Sequence, residues 1–226
     1  TTIQWGQLAG IAINPAHTHL FVTGNKMIRK INIATGAVSF VGATGVRYYD
    51  NGLGLYTNKI TFTNTTSGST TDSLAYYGDG ITTDGTSVYV TDQTSGSSAG
   101  RVLKIDIATN SVSTLVSLTN FTSAGSFPHA MTNDGNNLYI VGDRVVRKID
   151  ISTKAETILA GNNLGGSTSI DGVGTAASFT LHMQGVDTDG TYLYISDDTA
   201  IRKMNIASGL VTTLAGSATY GYAQGA

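Results

Sequence analysis

By residue type, His129 and His182 are the side chains best suited to chemistry. A neutral imidazole is the commonest metal ligand, and a protein-bound zinc ion takes three or four ligands. The two histidines hold matching places, each just before a short apolar stretch. The corresponding stretches elsewhere, Gln7-Leu-Ala9 and Tyr77-Gly-Asp79, add no third imidazole. The expectation is therefore surface or packed histidines, with no metal and no cofactor. His17 and His19 belong to a loop that opens on the opposite side. Asp92, Asp143, Asp197 and Asp198 recur where one apolar run gives way to the next. Paired acids do acid–base work when their surroundings separate their pKa values. Repetition instead favours Asp fixing turns by bonding nearby backbone N–H groups. Asp187-Thr-Asp-Gly190 is a fragment of a calcium loop without its remaining ligands. The basic pairs Arg29-Lys30, Arg147-Lys148 and Arg202-Lys203, with Lys104, are expected to lay their stems between sheets and keep their heads in water. No nucleophile elbow, phosphate loop or zincin helix is present. The chain is expected to have no enzymatic activity and no catalytic residue.

The tyrosines are placed most selectively. Tyr48, Tyr49, Tyr56, Tyr76 and Tyr77 lie between Ala43 and Asp79, and Tyr220 and Tyr222 lie near the C-terminus. Seven of the eleven tyrosines thus occupy connectors between repeated units. Tyrosine is enriched at interfaces and offers a flat apolar face with a polar tip. These seven are the candidate partner-binding residues.

The units that must position them are repeats. Leu20-Phe-Val-Thr-Gly24, Val88-Tyr-Val-Thr-Asp92, Leu138-Tyr-Ile-Val-Gly142 and Leu193-Tyr-Ile-Ser-Asp197 each lead into a basic, then apolar, run such as Ile201-Arg-Lys-Met-Asn-Ile206. A Val/Thr/Leu strand follows each. Asp84-Gly85, Asp134-Gly135 and Asp189-Gly190 supply the first turn, for which a type I′ hairpin is expected. No sustained 3.6-residue period appears, so helix is nearly absent. Successive anchors stand 68, 50 and 55 residues apart, and the path from Leu193 through the C-terminus to Leu20 is 53. The spacing predicts an all-β fold: a four-bladed β-propeller of four-stranded antiparallel blades, its N- and C-termini meeting to close the ring and hide sheet edges. Residues 1–226 are read as one domain, with blades near 9–42, 79–117, 129–160 and 184–216 and an insert at 43–78.

The pattern Gly185-Val-Asp-Thr-Asp-Gly-Thr-Tyr-Leu-Tyr-Ile-Ser-Asp197, then Ile201 to Ile206, then Val211-Thr-Thr-Leu-Ala-Gly216, resembles the NHL-repeat family of β-propellers. The connector Asp171-Gly-Val-Gly174 with Phe179 fits the linker of such repeats, and Asn51-Gly-Leu-Gly54 echoes it. Family propellers commonly have more than four blades. The resemblance implies an interaction scaffold, often secreted; some members bind RNA through a basic face, and some are metal-dependent lyases that use several histidines.

Composition narrows these readings. The 226 residues carry 13 Lys and Arg against 15 Asp and Glu, for a net charge of −2. That balance argues against nucleic acid, whose binding needs a basic excess. No apolar run reaches the roughly 18 residues of a membrane span, so no membrane insertion is expected. Cysteine is absent, which removes disulfides and thiol nucleophiles. Low charge and Thr/Ser/Asn/Gly-rich strands suggest an extracellular or cell-surface protein. The leading functional expectation is a non-enzymatic scaffold that binds a protein or glycan through its connector face. The alternatives are a self-assembling subunit that contacts copies of itself and a metal-dependent lyase or hydrolase built on His129 and His182.

Overall fold

In the computed structural model, the described residues are 8–24, 27–42, 46–49, 56–59, 61–62, 72–73, 80–93, 100–118, 128–162 and 168–217. They form a four-bladed β-propeller with almost no helix. Blade 1 comprises Leu8–Ile13, His19–Gly24, Met27–Asn32 and Val38–Val41. Blade 2 comprises Ile81–Thr83, Ser87–Gln93, Gly100–Asp106 and Val112–Leu118. Blade 3 comprises Ala130–Asn133, Asn137–Gly142, Val145–Asp150 and Glu156–Gly161. Blade 4 comprises Met183–Thr188, Tyr192–Asp197, Ala200–Asn205 and Leu210–Gly216, with Gly172–Val173 added beside its last strand. Within each blade neighbouring strands pair antiparallel, in chain order. In the insert, Val46–Tyr49 pairs with Tyr56–Lys59, and Thr61–Phe62 with Asp72–Ser73. Both are two-stranded ladders, too small to be a fifth blade. The meeting of the two termini, residues 1–7 and 218–226, lies outside the described residues.

Alternation of side chains along a strand gives each blade two faces. We call the face turned to the preceding blade the leading face and the one turned to the following blade the trailing face. The register fixes equivalent positions. Phe21, Tyr89, Tyr139 and Tyr194 pair with Lys30, Lys104, Lys148 and Lys203 on the trailing side. Leu20, Val88, Leu138 and Leu193 pair with Ile31, Ile105, Ile149 and Met204 on the leading side. Three buried clusters join successive blades. Phe21 and Ile28 of blade 1 meet Ile81, Val88, Val90 and Ile105 of blade 2. Tyr89 and Val102 meet Met131, Leu138, Ile140 and Ile149 of blade 3. Tyr139 and Val146 meet Met183, Leu193, Ile195 and Met204 of blade 4, where Phe179 of the connector fills the remaining space. Full burial of a side chain of this size contributes about 1.5–3 kcal/mol, so the blade-to-blade contacts dominate stability.

The turns are set by polar side chains. Asp84 Oδ1 accepts the N–H groups of Thr86 and Ser87, at 2.8 and 2.7 Å. Asp134 and Asp189 repeat this with Asn136 and Asn137, and with Thr191 and Tyr192. In blade 1 Asn14 does the same for Thr18 and His19. Only the glycines of the Asp-Gly pairs are left-handed, with φ of 92°, 92° and 87°. The expected type I′ geometry, which needs φ > 0 at both central residues, is therefore not adopted there. It occurs at Asp143-Arg144, with φ of 54° and 61°, between the second and third strands of blade 3.

The last turn of each blade needs one left-handed residue: Gly36, Asn110, Lys154 and Gly209, with φ between 57° and 70°. Glycine and asparagine tolerate this region; lysine carries a Cβ penalty there. Lys154→Gly is expected to stabilise the protein by about 0.5–1 kcal/mol, read as a raised urea midpoint with an unchanged slope.

Candidate functional site

The recurring acids are consumed by the fold. Besides capping its turn, Asp84 accepts the Tyr89 hydroxyl through Oδ2 at 2.8 Å. Asp134 accepts that of Tyr139 at 2.7 Å, and Asp189 that of Tyr194 at 2.9 Å. A single carboxylate thus links the first turn of a blade to the aromatic that packs against the next blade. Blade 1 has neither partner, since Asn14 replaces the acid and Phe21 lacks the hydroxyl. Burial pushes the Asp84 and Asp134 carboxyls up, but the backbone and hydroxyl hydrogen bonds more than offset it and hold both below the usual carboxylate range. Burial, then the bond to the carboxylate, pushes the Tyr89 and Tyr139 hydroxyls well up.

The basic pairs divide by strand parity, and one expectation about them is corrected. Arg29, Arg147 and Arg202 are buried to their heads, 3%, 1% and 0% exposed, instead of reaching water. Of the half-exposed lysines, Lys104 stands over Tyr89, and Lys203 over Tyr192 at 3.8 Å. The reason for Arg147 and Arg202 is that they point into the spaces between blades, where only paired guanidinium groups are tolerated. Arg147 bonds Glu156 at 3.0 Å and the Gly142 carbonyl. Arg202 bonds Asp197 at 3.1 Å and Asp171 at 2.9 Å, along with Ser169 and the Ser178 carbonyl. Asp197 also accepts the backbone N–H and hydroxyl of Thr180. The Arg202 cluster therefore ties the connector 168–182 to blade 4. In blade 2, Asp92 pairs with Arg101 at 2.7 Å, both buried. So Asp92 and Asp197 serve as ion-pair partners rather than turn caps, while Asp143 and Asp198 take the left-handed turn positions.

His129 and His182 do occupy equivalent sites, each directly before the first strand of its blade. Those strands of blades 3 and 4 pack side by side, with Thr132 bonded across to Asp187. The His129 backbone N–H donates to the Val141 carbonyl, and the His182 carbonyl accepts from Asp198 N–H. Among the described residues no three His, Asp or Glu side chains gather as a metal site requires. His19 opens the second strand of blade 1, its Nδ1 2.9 Å from the Thr18 hydroxyl. Tyr48, Tyr49 and Tyr56 lie on the insert hairpin, where Tyr49 pairs with Tyr56. Their side chains, and all of Tyr76, Tyr77, Tyr220 and Tyr222, lie outside the described residues. No helix among those described is long and apolar enough to cross a membrane.

Comparison with known proteins gives the fold and no family. No protein-family model matches the chain, and no curated protein matches it. Solved structures do. The chain is similar to an auxiliary nutrient-binding protein of Bacteroides thetaiotaomicron at 20% identity and a TM-score of 0.50, covering 94% of this chain and 58% of that one. It is similar to a TolB candidate of Agrobacterium tumefaciens at 14% identity and a TM-score of 0.57, covering 94% and 63%. It also matches the extracellular domain assigned to a one-component system of B. thetaiotaomicron at 11% identity and a TM-score of 0.56, covering 95% and 25%. The chain spans less than two thirds of each of these proteins.

Two expectations follow. The lowered Asp84 and Asp134 groups stabilise the fold in full above about pH 4, and this is lost as pH falls through their folded values. The raised Tyr89 and Tyr139 groups contribute in full below about pH 10, and this fades as pH rises toward their folded values. Urea titrations across pH should fall off on both sides, and Asp84→Asn with Asp134→Asn should flatten the acid side. Separately, Asp197→Ala leaves Arg202 buried beside a lost partner and should cost about 3–5 kcal/mol, measured by thermal or urea unfolding.

Proposed function

We propose that the chain is a non-enzymatic, extracellular propeller scaffold of NHL type that binds a protein or glycan through its connector face. One observation carries this reading. The polar side chains that recur from blade to blade are engaged in turns, in Tyr–Asp bonds or in buried arginine pairs. A residue used in this way is not available as an acid, base or nucleophile. What varies between units is the connectors, where seven of eleven tyrosines fall. Loops on a rigid sheet scaffold are the usual carriers of binding. An extracellular setting agrees with the low charge and with the extracellular domain among the structural neighbours.

A second reading, a self-assembling subunit, is favoured by the apolar residues left uncovered on blade 1, with Ile11 65% and Leu8 51% exposed. The lyase or hydrolase reading would need His129 and His182 to gather further ligands.

The test is binding of purified chain to defined oligosaccharides and to candidate extracellular proteins. Tyr48→Ser with Tyr49→Ser is expected to weaken binding about tenfold or more while the melting temperature holds. Binding untouched by these changes, or stoichiometric metal that is lost on His129→Ala plus His182→Ala, would count against the proposal.

A further inference from the structure

The first strands of blades 1 and 4 are built alike but end in different surroundings. Leu8 pairs with Gly24 as Met183 pairs with Asp197, and Ile11 pairs with Val22 as Val186 pairs with Ile195. Both strands bulge between these two pairs. Yet Met183 is 0% exposed and Leu8 is 51% exposed. The neighbouring positions do not differ in this way. Val22, Met27 and Arg29 of blade 1 are buried, as are Ile195, Ala200 and Arg202 of blade 4. The leading face of blade 1 is thus closed over Val22, Met27 and Arg29 and open along Leu8 and Ile11. Leu8, Ile11, Val22 and Ile31 line the opening, an apolar groove of about 470 Å³.

In blade 4 the segment just ahead of the first strand does the closing. Phe179, four residues before Met183, is buried in one cluster with Met183, Ile195 and Met204. Arg202 lies over its ring at 5.3 Å. Blade 1 offers matching surroundings: Leu8 for Met183, Val22 for Ile195, Ile31 for Met204 and Arg29 for Arg202. The seven residues ahead of Leu8 contain one aromatic, Trp5, three residues before it.

We propose that the indole of Trp5 seats in the blade 1 groove of its own chain, in the role that Phe179 has in blade 4. Three residues of chain reach about 10 Å, so Trp5 is tethered within range of Leu8. An indole buries roughly 150–250 Å² of surface, which suits an opening of this size. A groove open to water on one side also leaves the ring N–H its hydrogen bond. Leu8 and Ile11 then serve the chain's own fold, and a second copy would compete for the same groove. Binding through the connector tyrosines is independent of this seat.

The experiment is tryptophan emission with acrylamide quenching, recorded beside light scattering over a concentration series. Trp5 is the only tryptophan, so the signal reports this residue alone. The folded wild-type chain is expected to emit to the blue of the urea-unfolded chain and to be quenched less, and to do so as a monomer. Ile11→Asp, at a residue 65% exposed, puts charge in the groove. It should shift the emission to the red and raise quenching toward the unfolded value while the far-UV spectrum holds. Leu8→Asp replaces it if that variant loses its far-UV spectrum. Ile158→Asp, at an exposed residue of blade 3, should leave the emission where it was. Trp5→Ala should lower the melting temperature, and Trp5→Phe should restore most of it. Folded wild type quenched as fully as the unfolded chain overturns the proposal, as does a melting temperature unmoved by Trp5→Ala. Protection that survives both Ile11→Asp and Leu8→Asp overturns it too, because the ring then sits elsewhere. Protection found only where light scattering detects two copies or more overturns it in favour of the self-assembling reading.

Discussion

A four-stranded blade has two apolar faces and can bury neither of them alone. Everything else in this protein depends on that constraint. Stacking blades converts each trailing face and the next leading face into one closed core, and repeat architectures gain their stability in this way. Here the pairing is explicit: an aromatic and a β-branched residue from one blade enter a set of Leu, Val, Ile and Met from the next. The repeat in the sequence is the record of that interface, made three times in register.

The polar residues serve the same packing. An aspartate in the first turn satisfies two backbone N–H groups and also receives the hydroxyl of the tyrosine that enters the neighbouring core. A tyrosine can be buried at 0% or 1% exposure because its one polar atom is bonded at the rim. Buried arginines follow a different logic. Arg147 and Arg202 lie between blades at positions where blade 2 has Leu103. Each brings its own carboxylates, and those of Arg202 come from both blade 4 and the connector, so the ion pair fixes a loop that hydrophobic contact alone would leave free to slide.

In the proposed scaffold reading, such a frame leaves its surface for binding. The connectors differ in length and content while the sheets repeat, and the recurring acids and arginines are engaged within the fold. Some apolar residues of the same repeat stay exposed on blades 1 and 4, Ile11 and Ile201 among them.

Much of this was legible in the residues. Four matched anchors and turn residues at fixed offsets determine strands, blades and their order, because those signals are local and repeated. The acids were legible as structural, but Asp92 and Asp197, expected to fix turns, pair instead with Arg101 and Arg202. Other features depend on distances between segments far apart in the chain. Arg202 meeting Asp171 and Ser169, and Phe179 filling the space between blades 3 and 4, join residues up to 33 positions apart. Strand parity placed neighbouring Arg and Lys on opposite faces, but only tertiary packing decided which face is closed by another blade and so which cation loses its water. The same holds for Ile11 and Ile81, which are equivalent in sequence. One is covered by a neighbouring blade and the other is not, and burial is a property of the neighbour.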